Sequence, residues 1–404
     1  MNEKNNKSLI QYVAIFLILA ASSGFYFRTL SQTMCYIVIL FAALMLIVAK
    51  GKLVLGQKPV FVVLVLVALG MISSLLNGDS YEYILLPAIS WVVGLLVVST
   101  MEYNVFKSRY VNVMVCMSIV SIAAEIVYII FPQIIGLFPL VHNNAGGAAY
   151  NLLITTVGYN FGQGYRIQGV FWEPGAFQVF VSLALFILCK NKSLFGKGFR
   201  IKLIVLIIAM IMTFSTTAYL MLMLFLVWYM IENKKYSAMA IIAVSGLIII
   251  PLVIALVPAI NQIYNTVIKD KFYAFFEAFS GNSTNVSSQV RADAIVYPLK
   301  LFGENPILGA GYSGLLGLRD VMGHSMTTCT PINYFATYGI IYGVITVWLF
   351  YNLARLFSQQ KRTCLWVFIM LLVMLATEDF NGNVCLNIFM LYGVSNKLSS
   401  KRKI

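Results

Sequence analysis

The sequence is short of charge. Asp, Glu, Lys and Arg make up only 10% of its 404 residues, against roughly 25% in a soluble domain. With 60% hydrophobic residues and a mean hydropathy of +0.87, the chain is no water-soluble globule. Period-2 alternation of apolar and polar residues is also missing, which excludes a transmembrane barrel. In its place run apolar stretches of about twenty residues, long enough to cross a bilayer as helices. The six cysteines, Cys35, Cys116, Cys189, Cys329, Cys364 and Cys385, have no CxxC or His-flanked spacing. No disulfide frame or metal site is readable from them. Gly309-Ala310-Gly311 has no Lys-Ser/Thr after it and no strand before it, so it is weak as a nucleotide loop. Internal repeats and midplane polar residues, the marks of a secondary transporter, are not evident apart from Glu125.

The net charge of +14 raises the question of a nucleic-acid partner, and the positions of the charges remove it. Lys and Arg fall in short clusters between apolar runs, as the positive-inside rule requires, so they orient the chain and need not bind anything. The first run, Leu9 to Ala21 after Lys4 and Lys7, reads as an uncleaved first helix although Ala20-Ala21-Ser22 offers the small residues of a cleavage site.

Membrane segments are expected near 8–27, 30–49, 59–76, 84–100, 111–131 and 174–189. They continue with a hairpin within 203–231 turning at Thr213-Phe214-Ser215-Thr216-Thr217, then 237–257, 331–353, 364–376 and 384–396, twelve in all. Parity requires the hairpin, because a single crossing would place Lys234, Lys235, Arg355, Lys361 and Arg362 outside. This topology puts 21 of the 28 Lys and Arg residues on the side of the N-terminus, the expected cytoplasmic side, with both termini. The expected organisation is helices 1 to 5 in 1–131, a first large outer loop in 132–173, helices 6 to 9 in 174–257, a second outer loop in 258–330, and helices 10 to 12 with a basic cytoplasmic tail in 331–404.

Loops that long are usually functional or disordered. In the second, apolar residues from Ile260 to Phe279 recur near helical spacing, which predicts a helix lying in the membrane interface. A shorter helix is expected to begin near Ser287 or Ser288, which would cap it, and to stop before Asn305-Pro306.

Outer-loop charges are few, so each is informative. Arg166 and Glu173 flank the entry of a helix that Pro174 starts, and Glu173 there either favours the helix dipole, with Arg166 as its surface partner, or does chemistry. Arg291 lies on the predicted second-loop helix and His324 shortly before the tenth span. Arginine can neutralise a pyrophosphate by two parallel hydrogen bonds and histidine can accept a proton near neutral pH. Together these are what glycosyl transfer from a lipid pyrophosphate needs, although a lone loop histidine is often incidental. His142, beside Asn143 and Asn144, is expected in a flexible loop. Glu125, inside the fifth span, is either an intramembrane functional acid or reaches the nearby interface.

At three segments the chain resembles the O-antigen polymerase and ligase superfamily of integral membrane glycosyltransferases. They are Arg166-Ile-Gln-Gly-Val-Phe-Trp-Glu173-Pro-Gly; Arg291 followed by Glu304-Asn-Pro-Ile-Leu-Gly-Ala-Gly311; and His324 before Asn333-Tyr-Phe-Ala-Thr-Tyr-Gly339-Ile-Ile-Tyr-Gly343. His324 precedes Gly339 by fifteen residues, about one helical turn earlier than the family pattern.

The resemblance implies an all-α polytopic membrane protein of the bacterial inner membrane, glycosyltransferase-C-like, with about twelve spans and two large periplasmic loops. It implies a polymerase that passes a growing undecaprenyl-pyrophosphate-linked glycan to the next lipid-linked repeat unit; no metal-ligand cluster is visible in the sequence, so the transfer is expected to be metal-independent, with no cofactor. Arg166 and Arg291 would hold the diphosphates, Arg319 and Tyr312 would help bind substrate, and His324 or Glu173 would orient or deprotonate the acceptor, with Arg291 also in the catalytic set. Expected partners are the lipid-linked oligosaccharide, membrane lipid and a chain-length regulator protein, and no nucleic acid. The alternatives are a ligase that delivers the glycan to lipid A-core and, outside the enzymes, a lipid-linked oligosaccharide flippase or an envelope scaffold.

Overall fold

The computed structural model describes residues 3–23, 32–50, 53–142, 148–158, 165–235, 286–323, 328–358 and 360–395, with 237, 273, 277 and 278. The expected span at 237–257, nearly all of the interfacial helix at 260–279, His324 and the basic tail lie outside the described residues.

The apolar runs form helices because hydrocarbon leaves backbone polar groups no partners but one another. They are α1 (Glu3–Ser23), α2 (Gln32–Lys50), α3 (Gln57–Leu76), α4 (Tyr81–Thr100), α5 (Tyr103–Ile130), the short α6 (Pro132–Ile135), α7 (Pro174–Lys190), the short α8 (Lys192–Phe195), α9 (Phe199–Met212) and α10 (Thr216–Glu232). After them come α11 (Val286–Glu304), α12 (Gly311–Met322), α13 (Thr330–Phe357), α14 (Lys361–Leu375) and α15 (Val384–Ser395). Helices thus stand at eleven of the twelve expected segments, with the hairpin turning between α9 and α10. Five are long and apolar enough to cross a membrane, namely α2, α3, α4, α5 and α13. Four shorter apolar helices accompany them, at Asn6–Ser22, Pro174–Lys190, Thr216–Glu232 and Val384–Ser395. The chain is a largely helical, multi-span membrane protein.

The first loop corrects the all-helical expectation. It contains a small antiparallel sheet, β1 (Leu140–His142), β2 (Ala148–Asn151) and β3 (Thr156–Val157), in the order β1-β2-β3. His142 is therefore a strand residue, paired with Ala148, not part of a flexible loop. Strands of two to four residues leave too little periodicity to read. In the second loop α11 begins among the described residues at Val286 and ends at Glu304, just before Asn305-Pro306.

Two helices are buried on every side. In α7 nearly every residue from Pro174 to Cys189 is buried, and in α15 all from Val384 to Val394 are. Helices apolar all round belong in the centre of a bundle. Aromatic rings fill the space around them, Phe186 against Trp228 and Phe357, and Phe389 against Phe106 and Tyr110. Buried polar pairs add direction, with Trp91 Nε1 donating to Tyr342 Oη at 2.8 Å and Asn387 Nδ2 to Ser90 Oγ at 3.0 Å.

The bundle has two chemically distinct ends. At the lysine end, side chains bridge helix termini: Lys107 to Asn191 at 2.6 Å, Lys202 to Asn112 at 2.5 Å, and Lys190 in an ion pair with Glu232 at 3.1 Å. The sequence reading gave these cations an orienting role only, and they also join helices. The opposite, loop end gathers the α3–α4 turn, the first loop, the α9–α10 turn, α11 and α12, and the α14–α15 turn.

At the loop end one helix is deliberately broken. α13 leaves helical geometry at Gly339, with φ 81° and ψ −177°. The turn between α11 and α12 enters the gap: Ala310 N donates to Ala336 O at 2.8 Å and Ile340 N to Pro306 O at 2.9 Å. Ser73 Oγ of α3 donates to Thr337 O at 2.9 Å, and Asn77 Nδ2 donates to Gly309 O at 3.2 Å. A Cβ at Gly309 would overlap the Thr337 carbonyl, and one at Gly339 would overlap that of Ile307. Only two glycines let the backbones meet.

Gly339→Ala is expected to cost about 2 kcal/mol or more, from positive φ together with overlap on Ile307. A thermal melt of the purified protein in detergent checks it, and a melting temperature equal to wild type would show that the two backbones do not meet.

Candidate functional site

The chain reaches α7 through residues 165–173, and this approach is held from two sides. Arg166 Nε donates to Thr213 O at 2.9 Å and Ile167 N to Met212 O at 3.1 Å, tying it to the α9–α10 turn. Gln168 Nε2 donates to Thr156 Oγ1 at 2.7 Å, and Thr156 N to Gly169 O at 2.7 Å, tying it to β3. Trp172 then packs on Phe380 of the α14–α15 turn, with ring centroids 5.4 Å apart.

Glu173 is the N-cap residue of α7. Its carbonyl accepts from Phe177 N at 3.2 Å, but its side chain makes no capping bond. The half-buried carboxylate is instead held over Gly175, where a second one joins it. A Cβ at Gly175 would lie 3.1 Å from Glu173 Oε1 and would overlap Glu378 Oε1. The two oxygens can be no farther apart than the sum of those separations. Glu378 is 3% exposed. Its main chain is bolted to the start of α13: Thr330 Oγ1 donates to Glu378 O at 2.5 Å, Thr330 N to the same oxygen at 3.3 Å, and Phe380 N to Thr330 Oγ1 at 2.8 Å.

The second-loop residues occupy another flank. Arg291 is half-buried on α11, which packs against α12 and α13. Tyr312 begins α12, and its amide donates to Asp79 Oδ2 at 2.8 Å while Ser313 N donates to Asp79 Oδ1 at 2.9 Å. Ser313 Oγ bonds the same carboxylate. Asp79, from the α3–α4 turn, thus caps a helix distant in sequence. The Tyr312 ring rests on Tyr83 at 4.6 Å between centroids. Arg319 is exposed in the last turn of α12, where a cation also suits the helix dipole. His324 follows the left-handed cap Gly323 and lies outside the described residues.

Glu125 is 1% exposed on α5, and its buried Oε2 has no hydrogen-bond partner among the described residues. The structure therefore joins Glu173 to Glu378 and Tyr312 to Asp79. It sets Arg166 among α7, α9 and α10, and Arg291 among α11, α12 and α13. Glu378 and Asp79 were not singled out from sequence. Each is a short-turn carboxylate whose partner is about 200 residues away or more.

Residues 201–341 match a family model described as O-Antigen ligase. The segment runs from α9 to just past the break in α13, and so contains Arg291, Gly309, Tyr312, Arg319, His324 and Gly339. The chain therefore contains a domain of that family, which places it in the O-antigen polymerase and ligase superfamily and supports an enzymatic role in transferring a lipid-linked glycan. No curated protein and no solved structure matches. Arg166 and Glu173 precede the matched segment and Glu378 follows it.

Gly175→Ala is expected to lower the melting temperature because the new methyl displaces Glu378. In a Glu378→Ala background the same change should cost much less. A double-mutant cycle reads the coupling, and equal costs in both backgrounds would refute the contact.

Proposed function

We propose that the chain is a membrane glycosyltransferase that moves a glycan from undecaprenyl pyrophosphate to an acceptor hydroxyl at the outer face of the inner membrane. The observation that carries this reading is the family match over 201–341, which spans Arg291, Tyr312, Arg319 and His324. The crowding of Lys and Arg at one end of the bundle supports a cytoplasmic lysine end and a periplasmic loop end, with both termini cytoplasmic. Helices at eleven expected segments support a twelve-span, glycosyltransferase-C-like arrangement.

In this reaction the acceptor oxygen attacks the anomeric carbon of the donor glycan. The bond from that carbon to the pyrophosphate oxygen breaks, and its electron pair leaves with the lipid pyrophosphate. The hydroxyl proton passes to His324 or Glu173. Arg166 and Arg291 offset the charge gathering on the leaving pyrophosphate, where planar guanidinium groups give paired hydrogen bonds. Arg319 and Tyr312 help seat the substrate from α12, and the transfer needs neither metal nor cofactor.

The description of the matched model favours the ligase, with lipid A-core as acceptor, and we take it as the first reading. The polymerase is the second, favoured by the closeness of Arg166 to Glu173-Pro174 outside the matched segment. A chain-length regulator is a partner under that second reading only.

Deleting the gene and resolving the surface glycan on a gel separates the two. Bare core with lipid-linked polymer accumulating indicates the ligase, and core bearing one repeat unit indicates the polymerase. Arg291→Ala and Arg166→Ala are expected to slow transfer by about 100-fold or more, the usual scale for losing a charge-stabilising donor. Full-length ladders from Arg291→Ala and His324→Ala cells would sink the assignment.

A further inference from the structure

At the lysine end, away from the proposed transfer site, an apolar groove of about 440 Å³ runs between the first turns of α3 and the second half of α13. Phe61 and Ile345 form its walls and Val394 of α15 closes it on the inside. Phe61 is 67% exposed and Trp348 39% exposed, so its mouth opens sideways, where a membrane protein meets lipid. Lys58 stands at the rim one turn below Phe61. Trp and Lys are residues that gather near the depth of lipid headgroups.

Walls of hydrocarbon alone would suit any acyl chain, but Gln57, Lys58 and Asn352 also line the groove, and of these Asn352 is buried. Asn352 is 1% exposed and its Nδ2 donates to Trp348 O at 2.8 Å, which fixes the amide. That leaves Oδ1 as a buried acceptor with no hydrogen-bond partner among the described residues. A buried acceptor without a donor is costly and calls for a ligand or solvent donor. Lys58 asks for an anion and Asn352 for a donor, at the same end of one apolar groove.

We propose that this groove holds one phosphatidylglycerol-type phospholipid. An acyl chain lies along Phe61 and Ile345, the phosphate pairs with Lys58, and a glycerol hydroxyl donates to Asn352 Oδ1. A phosphatidylcholine headgroup carries no hydroxyl or N–H donor, and phosphatidylethanolamine, a zwitterion, brings no net charge to Lys58. The site does not rest on the transfer reaction.

Native mass spectrometry of the full chain, released from detergent with equal phosphatidylglycerol and phosphatidylcholine, tests it. Wild type is expected to retain phosphatidylglycerol about fivefold over phosphatidylcholine, the scale of one interfacial lysine. Lys58→Gln should abolish the preference, while Lys50→Gln, an exposed lysine at the same end outside the groove, should leave it unchanged. Asn352→Leu should lower the preference for phosphatidylglycerol without abolishing it, because Lys58 remains to pair with the phosphate. Equal retention of both lipids by wild type, or equal losses in the Lys50 and Lys58 variants, would overturn the site.

Discussion

The loop end depends on an exchange of backbone hydrogen bonds across the break in α13. Gly339 interrupts that helix, and the interruption frees Ala336 O, Thr337 O and Ile340 N. Inside a membrane protein such groups must find other partners. The α11–α12 turn supplies two and α3 supplies the third, so three distant segments are fixed by one defect. Asp79 adds the next layer by capping α12 from the α3–α4 turn. Arg291 and Arg319 sit on the two helices that this joint holds, which is how a break in a membrane helix becomes a means of placing guanidinium groups.

This joint also explains the glycines in the resemblance. Gly309-Ala310-Gly311 looks like a phosphate loop without the rest of one, and its structural work is different: Gly309 admits the Thr337 carbonyl and Ala310 completes a broken helix. Gly343 makes room for the Phe335 ring one turn past the break. A family model recognises such a segment through packing as much as through chemistry. The matched stretch 201–341 ends almost at the break, and the part of the candidate site built on α7 lies outside it.

Much of the helical framework was legible because hydrocarbon imposes length and composition on every span. The hairpin at Thr213 to Thr217 followed from charge parity, and α9 and α10 turn there. The sheet of the first loop was hidden by strands too short to show a period. Arg166, Glu173, Arg291 and Arg319 stand out in the sequence because charges are rare near that end. Glu378 and Asp79 do not, because what distinguishes them is where their carboxylates end up. Glu378 comes to Gly175, about 200 residues earlier, and Asp79 comes to Tyr312 more than 200 residues later.

Those two carboxylates bear on how a pyrophosphate can be held. A helix N-terminus is a natural anion site, and α7 and α12 both begin at the loop end. Each is already occupied by the protein's own acids: Glu173 and Glu378 stand over the first turn of α7, and Asp79 takes the first amides of α12. A second anion at either position would meet a carboxylate at short range, which is repulsive. In the proposed transfer phosphate charge is therefore left to side chains, and Arg166 and Arg291, on different flanks of the bundle, are the ones proposed for it. The acids are left to face hydroxyl groups, for which a carboxylate is a good acceptor. In that proposal the leaving pyrophosphate meets cations and the acceptor hydroxyl meets a carboxylate, both at one end of the molecule.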